Sequence, residues 1–302
     1  MLEYFEIHPD VQEAMRESIP VVVMESTIWA QGLPTKEAIN ALMECCHIIR
    51  EEDALPVLVA LSGGKIRVGI RMDEFSEMLD RGKVQKVNLR DIPTCIQRHG
   101  DGTTTVSATV FIAHSLGLPV VATGGIGGVH RNADKTFDVS ADLHTLANYP
   151  IAVVASGVKS ILNIGATLEM METLGIPVIA YGTDLFPSFY CRTSQFPAPE
   201  RMDDLEEIAG VVRIRNRLGM KSGVLIANPI PKDYSLSENL MDEVVEKSLL
   251  EATDLGITGK GVTPYLLERI HEMTGGATVK ANIALIKENS RIGAKLSRMV
   301  YY

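Results

Sequence analysis

The sequence predicts an α/β protein, a largely parallel buried sheet flanked by helices. Two patterns predict it. Short apolar runs recur at 20–26 (PVVVMES), 56–62 (PVLVALS), 119–125 (PVVATGG), 150–156 (PIAVVAS), 177–183 (PVIAYGT) and 223–229 (GVLIANP), each announced by Pro or Gly. They are continuous rather than alternating, as strands covered on both faces are. Between them lie helical periodicities at 36–51, 106–116, 140–147 and 167–174, the last followed by Gly175 as a C-cap. Strand–helix alternation of this kind builds a sheet with helices packed on it. Residues 181–203, rich in aromatics and prolines and without helical period, read as an ordered excursion over the sheet edge. Packing or a subunit contact is the expected role of that excursion, ahead of substrate contact. From 236 to 299 the pattern is helical, with breaks at 256–264 and 274–278.

The chain has 302 residues and no repeat, charge block or low-complexity linker, so it reads as a single domain, 1–302. No run approaches 18 uncharged apolar residues, and the acidic N-terminal segment lacks the pattern of a signal peptide. A formal charge of −9 gives no general attraction to nucleic acid or to an anionic membrane. Any anionic substrate must therefore meet a local cluster of donors. Four cysteines without a C-x-x-C pair read as reduced thiols of a cytoplasmic protein.

In open α/β sheets ligands sit beyond the carboxyl ends of the strands. Here those ends carry Glu25-Ser26-Thr27, Thr123-Gly124-Gly125, Lys159, Thr183-Asp184 and Asn228. Lys159 admits two readings: a solvated lysine on the first turn of a helix, or a partly desolvated nucleophilic amine. In GDGTTTVSATVF (100–111), Thr104 and Thr105 stand just before a helix, where hydroxyls and free amides suit a phosphate. An ordinary N-cap serves equally well. Lys86 is a candidate phosphate cation. In the glycine-rich segment 122–142, a dinucleotide fingerprint fails because His130 stands where its last glycine belongs. Asp138 and Asp142, four apart around Ser140, suit a hard divalent cation that keeps its waters, or the cap of a helix. His130 reads as a ligand, a general acid/base or a packed loop residue.

Taken together, these motifs resemble the pseudouridine-5′-phosphate glycosidases, also called indigoidine synthase A-like proteins. The matching stretches are EST and GLP within 25–34, VGI (68–70), KVNLRD (86–91), GTTTVSAT (102–109), ATGGIGGVHR (122–131), TFDVSADL (136–143), VASGVKSIL (154–162), YGTDLFPSFY (181–190), ANP (227–229), GKGVTP (259–264) and ANIALIKEN (281–289). They fall in family order over nearly the whole chain.

The resemblance implies a homotrimeric enzyme with an α/β/α sandwich and bound manganese (Mn2+). It implies reversible cleavage of pseudouridine 5′-phosphate and water to uracil and ribose 5-phosphate. The bond broken joins two carbons, so the two-carboxylate route of ordinary glycosidases lacks a leaving oxygen to protonate. The implied route opens the ribose ring, adds a lysine amine at C1′, expels uracil and hydrolyses the Schiff base. By the same resemblance Lys159 is the nucleophile, Glu25 the proton donor and Asp138 the metal ligand. Lys86, Val106, Ser140, Ala141 and Asp142 contact substrate, Asn282 is an active-site asparagine, and His130 lies near the sugar phosphate. Thr104 and Thr105 are added on physical grounds alone.

The chain departs from the family pattern at Gln31, where a histidine is common, with Trp29 nearby. It departs again at Asn88-Leu89, where Ser-Arg is usual, and at Lys221-Ser222. A glutamine hydrogen-bonds but does not shuttle protons. These changes bear on base specificity and rate. They leave open a C-glycoside synthase joining ribose 5-phosphate to another base-like acceptor; against a non-catalytic sugar-phosphate-binding protein stand the intact Lys159, Glu25 and Asp138.

Overall fold

The computed structural model describes residues 2–257 and 261–301. The Gly259-Lys260 part of the GKGVTP stretch, and residues 258–260 of the break expected at 256–264, lie outside the described residues. The strands are β1 (Phe5–Ile7), β2 (Val21–Met24), β3 (Leu55–Ser62), β4 (Lys65–Val68), β5 (Val84–Val87), β6 (Asp101–Thr104), β7 (Val120–Ala122), β8 (Ala152–Ala155), β9 (Val178–Tyr181), β10 (Glu200–Met202) and β11 (Val224–Ala227). They form one sheet in the order β1-β4-β3-β2-β7-β8-β11-β9-β10, with β6 also paired to β3 and β5 to β6. From β3 to β10 all pairings are parallel. The antiparallel pairs are confined to β3 with β4 and β3 with β6.

All six apolar runs are strands of this sheet. Those at β2, β8 and β11 are buried at every position. Alternate residues feed two cores: Val121, Val153 and Leu225 pack on one face, Val120, Val154 and Ile226 on the other. Helices cover both faces, which makes the α/β/α sandwich and explains why the runs read as continuous rather than alternating. The helical periodicities appear as Thr35–Glu51, Val106–Ser115, Ala141–Asn148 and Ile164–Thr173. Gly175 follows the last with φ +66, the left-handed turn that stops a helix. The C-terminal region forms the helices Glu238–Asp254, Val262–Met273 and Ala277–Tyr301.

Two topological facts position the site. The chain passes from β2 through Thr35–Glu51 to β3 on one side, and from β7 through Ala141–Asn148 to β8 on the other. The sheet therefore reverses its winding between β2 and β7, and a crevice opens beyond their carboxyl ends. The long helix Ala277–Tyr301 lies against the same strands. Ser297 Oγ donates to the Val21 carbonyl at 2.8 Å, and a Cβ on Gly293 would lie 3.2 Å from Ala122 Cβ.

Candidate active site

Glu25 and Thr123 directly follow β2 and β7, on the two sides of the crevice. The Thr123 hydroxyl donates to Glu25 Oε1. Both side chains are buried. Burial pushes the Glu25 carboxyl above its ordinary value, against the opposing pull of the Lys159 ammonium, the Thr123 hydrogen bond and Lys86. A carboxyl so placed holds its proton at higher pH than a solvated one. Glu25 is suited to donate.

Lys159 is reached by a turn rather than a helix. Gly157 takes φ +75, and a Cβ there would lie 2.1 Å from the Pro187 carbonyl oxygen, so only glycine fits. The segment after β8 zips onto the segment after β7. Ser156 N–H donates to the Gly124 carbonyl at 2.8 Å, Ile126 N–H to Gly157 at 3.1 Å and Lys159 N–H to Ile126 at 3.1 Å. The next helix begins at Ile164. This excludes the reading of Lys159 as a solvated first-turn residue; it is half-buried and lines the crevice.

The crevice has two lobes that share Glu25, Thr27, Lys86 and Lys159. The first is walled by Ile28, Phe189, Tyr190 and Leu267, with Gln31 and Asn282 as its polar groups. The second is polar, with Asn88, Thr105, His130, Ser140 and Asp142 around it and Val106 on its wall. An apolar slot and a polar slot meeting at two amines and one acid suit a ligand with a flat ring at one end and an anion at the other. Asn282 is 5% exposed; its Nδ2 donates weakly to the Gly32 carbonyl at 3.4 Å. Its Oδ1 is buried with no partner. A buried acceptor without a donor is costly.

Several expected residues lie elsewhere. Thr104 is corrected. Its hydroxyl donates to the Val59 carbonyl at 2.9 Å and meets Ser26 and Thr109, so it points into the core and reads no phosphate. Thr105 does line the polar lobe, its hydroxyl 3.0 Å from Asn88 Oδ1 and 3.0 Å from Ser107 Oγ. Ala141 is exposed on the first turn of its helix and does not line either lobe.

Asp142 is buried, with Oδ1 accepting from Ser107 N–H at 2.9 Å and Oδ2 from Gly127 N–H at 2.8 Å. Its carboxylate caps the helix where free amides were expected to await a phosphate. Each of its oxygens thus holds a backbone amide while the residue lines the polar lobe. Gly127 allows this approach, because a Cβ there would lie 2.2 Å from Ser140 Oγ. Asp142→Asn keeps the shape but turns one acceptor into a donor facing a backbone amide. A loss of about 1–3 kcal/mol in urea unfolding is expected.

His130 and Asp138 pair across a short loop, Nδ1 to Oδ2 at 3.8 Å, with the Asp138 side chain 45% exposed. Burial holds the imidazole below its ordinary value, with Lys86 and Lys159 adding to burial and Asp138 opposing it. Among the described residues no three His, Cys, Asp or Glu side chains cluster to cage a metal. One half-exposed carboxylate beside a neutral-leaning imidazole fits a hard ion that keeps most of its water shell, not a cage of protein ligands.

Sequence reasoning missed Phe189 and Tyr190. The excursion at 181–203 was expected to pack or meet a subunit, but it lays these rings, 4.5 Å apart at their centroids, along the apolar lobe. An aromatic pair in a loop that returns to a strand end was the available signal. Thr123 was named only as a strand-end hydroxyl. Asn289 was not singled out at all.

Fold and site together define an α/β enzyme whose acid and amine meet at a topological switch point. The chain belongs to the indigoidine synthase A-like family, whose sequence model matches residues 10–299. It is 43% identical over 297 residues to the pseudouridine-5′-phosphate glycosidase of Caldanaerobacter subterraneus subsp. tengcongensis, covering 98% of this chain and 97% of that one. It is 44% identical to the enzyme of that name from a Nocardioides species, covering 96% and 94%. Among solved structures, an indigoidine synthase A-like protein from Thermotoga maritima matches with a TM-score of 0.89 at 36% identity, over 95% of this chain and 94% of that chain. The prealnumycin C-glycosynthase AlnA, in complex with ribulose 5-phosphate, matches with a TM-score of 0.92 at 30% identity, over 99% and 97%.

Proposed function

We propose that this protein is a pseudouridine-5′-phosphate glycosidase, cleaving its substrate reversibly to uracil and ribose 5-phosphate. The observation that carries the reading is the junction of the two lobes, where Glu25 and Lys159 both face the cavity between an apolar slot and a polar one. Names of relatives at 43–44% identity over nearly the full chain support the substrate.

In this reading the base lies between Ile28 and the Phe189–Tyr190 pair, with an imide N–H meeting the unpartnered Oδ1 of Asn282. The sugar phosphate lies in the polar lobe near Lys86, Thr105 and His130. Glu25 gives its proton to the ring oxygen as the sugar opens. The Lys159 amine, as free base, adds at C1′. The C1′–C5 bond breaks with its electron pair going to the base, which takes a proton at C5, and water releases the pentose from Lys159. Asp138, with His130 beside it, would hold a hydrated Mn2+, which supplies Lewis-acid polarisation of a carbonyl oxygen when bound. Assembly as a homotrimer belongs to the same proposal.

A second reading has one observation in its favour: the C-glycosynthase neighbour shares the fold over 99% of this chain. Ribose 5-phosphate offered with uracil, thymine or larger heterocycles separates the two. A C-nucleotide formed with uracil supports the glycosidase. A product with another acceptor and none with uracil overturns it in favour of a synthase, and no product with any base returns the protein to sugar-phosphate binding.

A further inference from the structure

We propose that Asn289 is a positioning residue for both reacting groups, holding the ends of β7 and β8 in one frame. This rests on the reading of Glu25 as acid and Lys159 as nucleophile. Asn289 lies two helical turns after Asn282 on the same face of Ala277–Tyr301, and is fully buried. Its Nδ2 donates to the Thr123 carbonyl at 2.8 Å, the Gly124 carbonyl at 3.2 Å and Ser156 Oγ at 3.1 Å. Its Oδ1 accepts from Asn228 Nδ2 at 2.9 Å and from the Ser156 hydroxyl at 3.4 Å. One amide thus binds the polar groups just past three neighbouring strands, β7, β8 and β11.

Where parallel strands stop, their ladder stops too, and the next peptide groups need other partners. A carboxamide offers donors and an acceptor in one plane, which neither an aspartate nor a leucine can match. From Asn289 two short paths lead to the chemistry. Through the Thr123 peptide it fixes the hydroxyl that donates to Glu25 Oε1. Through Ser156 it fixes the start of the turn that ends at Lys159. The Thr123 hydroxyl occupies Oε1, so the acid proton belongs on Oε2. The helix itself is pinned lower down by Ser297 and Gly293, so the amide has a fixed anchor.

The test uses full-length Asn289→Ala and Asn289→Asp, with Ser156→Ala as a milder change, each checked for native circular dichroism. Asn289→Ala is expected to lower kcat about 100-fold with KM little changed, the scale of an ångström-level misplacement. In protein carrying 13C-labelled glutamate, the Glu25 carboxyl should titrate at higher pH than in the wild type, because the Thr123 hydrogen bond that favours its ionised form is loosened. Asn289→Asp should regain part of its rate at low pH, where a protonated carboxyl can donate to the Thr123 carbonyl. A folded Asn289→Ala with wild-type kcat and unmoved Glu25 titration overturns the proposal, as does a loss confined to KM. If Asn289→Ala does not fold, Ser156→Ala decides by the same two readouts, with smaller effects of the same sign. The carboxyl titration needs no substrate, so it tests the positioning role even if the glycosidase reading fails.

Discussion

Replacing Lys159 by alanine or arginine is expected to abolish turnover, by on the order of a million-fold, the scale seen when a covalent nucleophile is removed. Arginine keeps the charge beside Glu25 but cannot serve as the free amine. Incubating the wild type with ribose 5-phosphate and borohydride should reduce the adduct to a stable secondary amine, found by mass spectrometry on the peptide containing Lys159. Both variants should give no adduct while still binding ribose 5-phosphate in the polar lobe, whose other donors are untouched. An adduct on a different lysine, or an alanine variant with substantial turnover, would remove the nucleophile from the mechanism.

Glu25→Gln is expected to cost about 10²–10⁴-fold in kcat, the usual worth of a general acid. Glutamine keeps an acceptor for Thr123 and the shape of the side chain, so the loss reports the missing proton rather than a collapsed pocket. The sign of the pH effect follows from burial. A buried carboxyl with its affinity for protons raised remains the acid to higher pH than a solvated one, and the protonated fraction declines as pH rises through that raised value. The wild-type rate should therefore fall on the alkaline side of that value, and the glutamine variant should lack this limb. Measuring kcat against pH for both proteins checks it. A limb that persists unchanged in Glu25→Gln would assign the acid to another group.

The central strands were legible because burial on both faces writes itself as unbroken apolar runs. The peripheral strands β1, β4, β5, β6 and β10 were not, being three or four residues long and polar or exposed at several positions. The site was legible wherever a polar group directly follows a buried strand, as at Glu25 and Thr123. Lys159 needed more, because its approach to the cavity depends on a positive-φ turn and a ladder to the preceding loop. Thr104 misled, while Asp142 lines the polar lobe and also caps a neighbouring helix. Hydroxyls and carboxylates at a helix start can serve the protein's own amides as readily as a ligand, and spacing does not say which. Asn289 was invisible because its partners are carbonyls and side chains up to 166 residues away, a relation that no local pattern records.

The helix Ala277–Tyr301 also sets an order in time. Glu25, Thr123 and Lys159 leave the ribosome well before Asn282 and Asn289, by roughly ten seconds at ordinary rates of synthesis. Until the helix docks, the apolar lobe lacks the Asn282 amide and the ends of β7 and β8 lack Asn289. The frame around Glu25 and Lys159 is complete only with this helix, so a chain stopped before Asn282 and Asn289 is expected to be inert.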